Sequence, residues 1–164
     1  MTGLRIAVIG SGRCDERCRR LAFEVGREIG GRGVLLCGGG GGVMEAAAEG
    51  ARSVDGPTVG IMPGVNEADS PPNRHIQLPI YTGIGQARNQ VIVLSANAVV
   101  AVCGGWGTLN EISAAAKHGI PVVCLESWRL ERPEGVGAAA LIEAETPAEA
   151  VRLAFAAAAG EGKS

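Results

Sequence analysis

The sequence predicts an α/β protein in which helices cover both faces of a parallel β-sheet. Short apolar runs such as Arg5–Ile9 and Ala98–Val102 alternate with segments of helical periodicity, as expected of strands that are buried on both faces. Glycine-rich turns follow several of these runs. The 164 residues contain no linker or charge block, so we predict a single domain over residues 1–160 and a frayed tail at 161–164.

The first half of the chain predicts strands at the apolar runs and helices where apolar positions share one face. In order, these are a strand at Arg5–Ile9, a helix over about 15–29, a strand at Val34–Cys37, a helix over 43–53 and a strand at Thr58–Met62. Residues 63–79 are rich in loop formers and are predicted to be irregular, with a short edge strand near 77–80.

The second half continues the alternation of helices and strands. It predicts a helix over 83–96, a strand at Ala98–Val102, a helix to about residue 118, strands at Val122–Leu125 and 140–143, and a last helix to about residue 159. The right-handed crossover rule makes this order a Rossmann-like, doubly wound, three-layer sandwich. Ligands bind such sheets beyond the carboxyl ends of the strands, where the three glycine-rich turns after Ile9, Cys37 and Val102 should gather.

Composition excludes several classes of protein. The net charge is -2 and aromatic residues make up 3%, so we expect neither a basic face nor a nucleic-acid partner. No apolar run is long enough to cross a bilayer, and the chain runs directly into a strand, so we expect a cytoplasmic protein without a signal peptide. The five cysteines are odd in number and lack disulfide-like spacing, so we predict free thiols. With two histidines, both far from Cys14 and Cys18, we predict no metal site.

Common nucleotide and cofactor motifs also fail. Gly10-Ser11-Gly12 lacks the third glycine of the dinucleotide fingerprint, which disfavours NAD. The final Gly162-Lys163-Ser164 resembles the end of a triphosphate-binding loop, but the chain stops before any helix. Two lysines in the whole chain argue against pyridoxal phosphate chemistry, and the serine-hydrolase elbow is missing. We expect that the fold requires no cofactor.

The glycine-rich turns predict a site for a phosphate group. Glycine lets backbone amides approach an anion, and the helix that follows contributes unpaired amides and a positive dipole end. Several such turns on one rim strengthen the prediction. The candidate ligand-binding residues are Ser11, Gly12, Gly39, Gly40, Gly41, Arg88, Asn89, Gly104, Gly105, Gly107 and Thr108.

Two of the polar residues are candidates for catalysis. Arg88 offers a planar fork for phosphate or a leaving base, and Glu111 could stabilise an oxocarbenium-like ribose or activate water. Structural alternatives stay open. Thr108 and Glu111 have the spacing of a helix capping box, Arg88 could be a surface cation, and residues 38–42 could form a tight turn. Trp106 could stack on a ligand or fill a dimer contact.

The segments 104–111 (GGWGTLNE) and 83–89 (GIGQARN) resemble the "Lonely Guy" superfamily, whose signature is Pro-Gly-Gly-x-Gly-Thr-x-x-Glu with an upstream Arg-Lys pair. Residues 39–45 and the order of strands also match. The resemblance implies a Rossmann-like homodimer or larger assembly that splits nucleoside 5′-monophosphates into base and ribose 5-phosphate, with Arg88 and Glu111 as catalytic residues. The sequence departs from the signature at Cys103 (Pro), Asn89 (Lys) and Asn110 (Glu). A branch of the superfamily with Arg-Asn in place of the Arg-Lys pair, as at Arg88-Asn89 here, resembles the molybdenum cofactor carrier proteins.

These observations favour a protein that binds a phosphorylated, nucleotide-like ligand, such as a molybdopterin-type cofactor that it carries. The alternative is a phosphoribohydrolase of the cytokinin riboside monophosphate type, and a third hypothesis is a nucleotide-sensing or assembly module in which the site is regulatory. We expect a small phosphorylated ligand as partner, no nucleic acid or membrane, and a homodimer or homotetramer.

Overall fold

The computed structural model describes residues 3–131, 133–134 and 141–160. The described residues form the strands β1 (Arg5–Ile9), β2 (Val34–Cys37), β3 (Thr58–Met62), β4 (Leu78–Tyr81), β5 (Ala98–Val102), β6 (Val122–Leu125) and β7 (Leu141–Ala144). They also form the helices α1 (Glu16–Gly30), α2 (Val43–Arg52), α3 (Arg88–Ser95), α4 (Trp106–Lys117) and α5 (Pro147–Ala158), with a 3₁₀ turn at Gly85–Ala87.

All strands pair in parallel in one sheet of order β4-β3-β2-β1-β5-β6-β7. The chain leaves the centre in one direction with β1 to β4 and returns to add β5 beside β1. The prediction of a doubly wound parallel sheet is therefore confirmed. Ile9 is in register with Ala101, so β1 and β5 end together and form the switch point at which such folds hold ligands.

Helices cover both faces of the sheet, as the sequence predicts. One buried cluster joins α1, α2 and α5 to residues such as Ile6 and Val8, and the other joins α3 and α4 to Ala7 and Ile9. Alternate residues of β1 thus serve opposite cores, because successive side chains of a strand point to opposite faces. This arrangement explains why the central strands are apolar throughout.

Glycine allows α1 and α2 to pack backbone against backbone. A Cβ atom at Gly26 would overlap the Ala47 carbonyl, and one at Gly50 would overlap the Phe23 carbonyl. The contact is therefore built from peptide groups and methyl groups rather than from large side chains. This packing suits a chain in which aromatic residues are rare.

The element boundaries differ from the predicted ones by a few residues. The edge strand β4 is shifted by one residue, and the predicted helix 83–96 divides into the 3₁₀ turn and α3. At Thr146 the side chain accepts a hydrogen bond from the Glu149 amide at 3.2 Å, so α5 begins as expected at Pro147. Residue 140 of the predicted last strand and the tail 161–164 lie outside the described residues.

The prediction of free thiols is wrong for two of the five cysteines. Cys18 on α1 forms a disulfide with Cys103, 85 residues further on, while Cys14, Cys37 and Cys124 are free. The pairing has no local spacing signal, because packing of α1 against the sheet brings the two Cα atoms to 6.2 Å. In the described ranges, no helix is long and apolar enough to span a membrane, and no group of three or more metal-binding side chains occurs.

Candidate functional site

A cavity of about 390 Å³ lies at the switch point of the sheet. Its walls come from the turn after β1, the turn after β2 and the beginnings of α3 and α4. The predicted ligand-binding residues that line it are Ser11, Gly12, Arg88, Asn89, Gly105, Gly107 and Thr108, and Glu111 lines it as well. The structure thus brings residues from four separate segments to one place.

The amino terminus of α4 faces this cavity with free backbone amides. Gly105 is the capping residue and supplies no side-chain hydrogen bond, and α4 begins at Trp106. Among the described residues, none accepts a hydrogen bond from the amides of Trp106, Gly107 or Thr108. Such an end of a helix attracts anions because its unpaired N–H groups and dipole are positive.

The capping-box interpretation of Thr108 and Glu111 is wrong. In a capping box the first residue precedes the helix, whereas Thr108 is the third residue of α4. The Thr108 side chain instead packs against Gly104, which has φ +101. Glu111 is therefore free of a capping role at the start of α4.

Arg88 is a buried cation at the first position of α3. Its side chain is only 8% exposed, and within the described structure its Nε has no hydrogen-bond partner. The guanidinium lies against Gly38, where any Cβ atom would overlap Nη1. Burial lowers the pKa of Arg88, and the nearby Glu111 opposes this shift. A buried, partly unsatisfied guanidinium is costly for the fold and is well suited to receive an anionic ligand.

Glu111 is 8% exposed on α4. Burial raises the pKa of this carboxyl to about 7, while the positive charge of Arg88 acts in the opposite direction. A carboxyl with a pKa near neutrality can give or accept a proton at physiological pH. The cavity is therefore lined by a buried guanidinium and by a carboxyl whose pKa lies near neutrality.

The glycine run after β2, residues 38–42, packs mostly against other parts of the protein. Of this run, Gly38 lines the cavity, whereas Gly39, Gly40 and Gly41, which the sequence predicted to bind ligand, do not. Gly39 has φ +72 and packs against Met62, and Asn73 Nδ2 donates to the carbonyls of Gly39 and Gly40 at 3.2 and 2.8 Å. Gly104 likewise is absent from the cavity lining and packs against Thr108.

The turn before α4 is anchored from outside. The disulfide joins Cys103 to α1, the Ser127 hydroxyl donates to the Cys103 carbonyl at 2.5 Å, and Trp128 Nε1 donates to the Gly105 carbonyl at 3.1 Å. Cys103 has φ +50, a left-handed conformation that the surrounding contacts must maintain. These contacts fix the position of the turn that leads into α4.

Sequence reasoning missed several residues of the cavity and its support. Gly38, Met44 and Gln86 line the cavity, and Cys18 and Ser127 both bond to Cys103 in the turn before α4. The run of glycines could have indicated Gly38. No sequence signal indicates which residues of distant segments anchor the turn after β5, because that depends on the tertiary packing.

Fold and site together define a Rossmann-like α/β protein in which the amino terminus of a helix borders a cavity at the switch point of the sheet. The chain belongs to the SLOG cluster4 family, a LOG-like family whose model matches residues 3–151. The resemblance to the "Lonely Guy" superfamily is thus confirmed.

The chain is similar to proteins of different activities. The chain is 43% identical to an uncharacterised protein of Archaeoglobus fulgidus, over 80% of this chain and 90% of that one. It is 34% identical to a cytokinin riboside 5′-monophosphate phosphoribohydrolase of Mycobacterium tuberculosis, over 66% of this chain and 62% of the enzyme. A solved molybdenum cofactor carrier protein from Chlamydomonas reinhardtii is 32% identical with a TM-score of 0.82, covering 95% of this chain and 99% of that one.

Proposed function

We propose that the protein binds a phosphorylated, nucleotide-like ligand in the switch-point cavity and acts as a binding or carrier protein. A molybdopterin-type cofactor is the first candidate ligand. The observation that carries the proposal is that the free α4 amides and the buried Arg88 guanidinium border the same cavity. The Arg88 Nε lacks a partner among the described residues. Amides and a guanidinium together provide both the geometry and the charge that a phosphate requires.

Two features favour binding over catalysis. Asn89 lines the cavity where the related hydrolase signature has a lysine, which removes one positive charge from the site. The likeness to the carrier protein spans nearly the whole chain, whereas the matched hydrolase is covered over 62% of its length. A protein that must hold and release a ligand needs the phosphate contacts but no further catalytic groups.

A second candidate function is the hydrolysis of nucleoside 5′-monophosphates to base and ribose 5-phosphate. It is favoured by Glu111, whose pKa of about 7 suits acid–base chemistry. Asn110, the other departure within the signature on α4, is exposed and does not line the described cavity. The absence of a carboxylate at position 110 therefore bears little on the reaction. Hydrolysis would depend on Glu111 and Arg88.

Calorimetric titration with three ligands tests the proposed phosphate site. Adenosine 5′-monophosphate and ribose 5-phosphate carry the phosphate, whereas adenosine does not. We expect both phosphorylated compounds to bind with a heat that adenosine does not produce. Equal binding of adenosine and its monophosphate would contradict a phosphate site in this cavity.

A turnover assay separates the two candidate functions. Purified protein is incubated with adenosine 5′-monophosphate, and free adenine and ribose 5-phosphate are measured. Carrier function predicts binding without release, whereas hydrolysis predicts release that falls about 10²-fold or more in Glu111→Gln. Asn110→Ala is the matched control, because it changes the neighbouring exposed residue.

Assembly and location are further parts of the proposal. A homodimer or homotetramer, expected by resemblance, is tested by light scattering of the purified protein. A cytoplasmic location is tested by fractionation of the native cells. Neither result decides between binding and hydrolysis.

A further inference from the structure

The two tryptophans of the chain meet at the rim of the candidate cavity. Their ring centroids are 5.2 Å apart with the planes inclined by 42°, a tilted contact within the favourable range for aromatic pairs. Trp128 is partly buried against the core on the α3–α4 face. Its Nε1 is fixed by the hydrogen bond to the Gly105 carbonyl. The inner ring is therefore held in place by the same turn that presents the α4 amides.

Trp106 is the outer member of this pair and is 79% exposed. It is the first residue of α4 and lines the cavity beside Gly105 and Gly107. A large aromatic surface left in water is unfavourable. Aromatic residues are rare in this chain, so an exposed tryptophan beside the cavity requires an explanation. Its position ties the exposed ring to the anion-binding turn, with Trp128 as support behind it.

We propose that Trp106, supported by Trp128, is a stacking platform for a planar heteroaromatic ring whose phosphate group lies on the α4 amides. The proposal rests on the proposed function and makes it more specific. It defines the ligand class as a phosphate ester of a planar heterocycle, which includes purine nucleotides and phosphorylated pterins. Sugar phosphates and inorganic phosphate would use the phosphate subsite alone.

The mode of recognition follows from the chemistry of the two subsites. Stacking on an indole accepts heterocycles of different edge patterns, since every such ring has a π-face. The free amides and Arg88 bind the charged end of the ligand. The platform therefore selects for a flat ring, and the identity of that ring is left to other groups around the cavity.

The test compares Trp106→Leu and Trp106→Phe, with adenosine 5′-monophosphate, neopterin monophosphate and ribose 5-phosphate as ligands. Because the ring is exposed, its replacement should leave the fold intact, which circular dichroism checks. For Trp106→Leu we expect affinity for the ring-bearing ligands to fall about tenfold, as loss of one base–aromatic stack predicts. Affinity for ribose 5-phosphate should stay unchanged, and Trp106→Phe should restore most of the loss.

A fluorescence measurement locates the contact. In Trp128→Phe the emission comes from Trp106 alone, and in Trp106→Phe it comes from Trp128 alone. Adenosine 5′-monophosphate should quench the first variant more strongly than the second, and ribose 5-phosphate should quench neither. Binding of the two ring-bearing ligands to the wild type shows whether the cavity prefers a purine or a pterin, and Trp106→Leu should weaken both by a similar factor, since stacking accepts either ring.

The outcomes separate this proposal from the proposed function. If ribose 5-phosphate and the monophosphates bind but Trp106→Leu binds all of them as tightly as the wild type, the platform is overturned and the phosphate site stands. The same holds if Trp106→Leu changes the oligomeric state alone, which would make the ring a contact between copies of the chain. If none of the phosphorylated compounds binds, the proposed function fails and the platform fails with it.

Discussion

The two glycine-rich turns after β2 and β5 lie on the same edge of the sheet, yet they serve different ends. At residues 39–42 the space beside the glycines is taken by Met62, Met44 and the turn after β1, and Asn73 bonds the carbonyls. At Gly105 and Gly107 the backbone borders an open cavity with free amides. Glycine permits close approach in both cases. The two turns differ in whether atoms of the protein occupy the space beside the glycines or leave it open.

We call the turn after β2 the first turn and the turn after β5 the second turn. The largest expected effect concerns the contacts that anchor the second turn. Reduction of the Cys18–Cys103 disulfide with dithiothreitol should lower the free energy of unfolding by about 2–4 kcal/mol, because the bond closes a loop of 85 residues' separation. It should also weaken ligand binding, since Cys103 precedes the amides of α4. Urea unfolding with and without reductant measures the effect.

The control for this effect is Cys18→Ser, on which dithiothreitol should have little influence. A thiol count under denaturing conditions without reductant should find the three free cysteines Cys14, Cys37 and Cys124. Five titratable thiols in protein purified under air would show that the second turn lacks this anchor.

The next effect is a pH dependence from Glu111, which lies behind the second turn. Its folded pKa of about 7 lies above the ordinary value of 4.5, so the folded state holds the proton more tightly than the unfolded state. The associated stability is fully present below pH 4.5 and is lost as the pH rises through 7. The loss amounts to about 3 kcal/mol.

Urea unfolding of wild type and Glu111→Gln at pH 5 and pH 8 measures this difference. We expect the wild type to lose stability, relative to the variant, between these two pH values. Parallel curves for the two proteins would mean that the carboxyl titrates at its ordinary pKa and that its burial has no such consequence.

Arg88 joins the two turns, because its guanidinium packs on Gly38 and faces the cavity at the start of α4. Arg88→Met keeps the length of the side chain and removes its charge. Affinity for adenosine 5′-monophosphate should fall at least about 30-fold, as for a dominant binding residue. The melting temperature should hold or rise, since a buried cation without a partner for Nε is removed. Arg20→Met, at an exposed position of α1, controls for net charge, and equal loss of affinity in both variants would exclude a specific contact.

Gly39→Ala tests the first turn as a structural element. The residue has φ +72 and faces Met62, which is 2% exposed. A left-handed alanine costs about 1–2 kcal/mol, so the free energy of unfolding should fall by at least that amount. Ligand affinity, measured under conditions in which the variant is fully folded, should not change. A stable variant with impaired binding would assign this turn to the ligand instead.

Gly107→Ala gives the smallest and opposite effect. A Cβ atom there meets no described atom within 4 Å, and the residue lies in the first turn of α4. Thermal unfolding should show a gain of about 0.4–1 kcal/mol, because alanine loses less conformational entropy on folding. A loss of stability would show that the second turn is packed by the protein as tightly as the first.

Much of the fold could be predicted because its signals are local. The strands Ala98–Val102 and Val122–Leu125 are continuous apolar runs, and Thr146 with Pro147 is a strong helix start. Features that depend on distant packing could not be predicted. The pairing of Cys18 with Cys103 is of this kind, and so is the filling of the space at Gly39 by Met62.

The candidate site shows the same division. The association of Arg88 with Glu111 and the α4 amides followed from motifs and from the rule that parallel strands end on one rim. The sequence leaves the position of Thr108 in the helix open, because its spacing to Glu111 fits a capping box as well as a place inside the first turn of the helix. Only the start of α4 at Trp106 distinguishes the two.

The most direct test of the central claim is a crystal structure of the protein with adenosine 5′-monophosphate bound. We expect the phosphate oxygens within about 3 Å of the amides of Gly107 and Thr108, with a nitrogen of Arg88 at a similar distance. A phosphate on the amides of residues 39–42, or one bound away from both turns, would contradict the claim that α4 holds the charged group of the ligand.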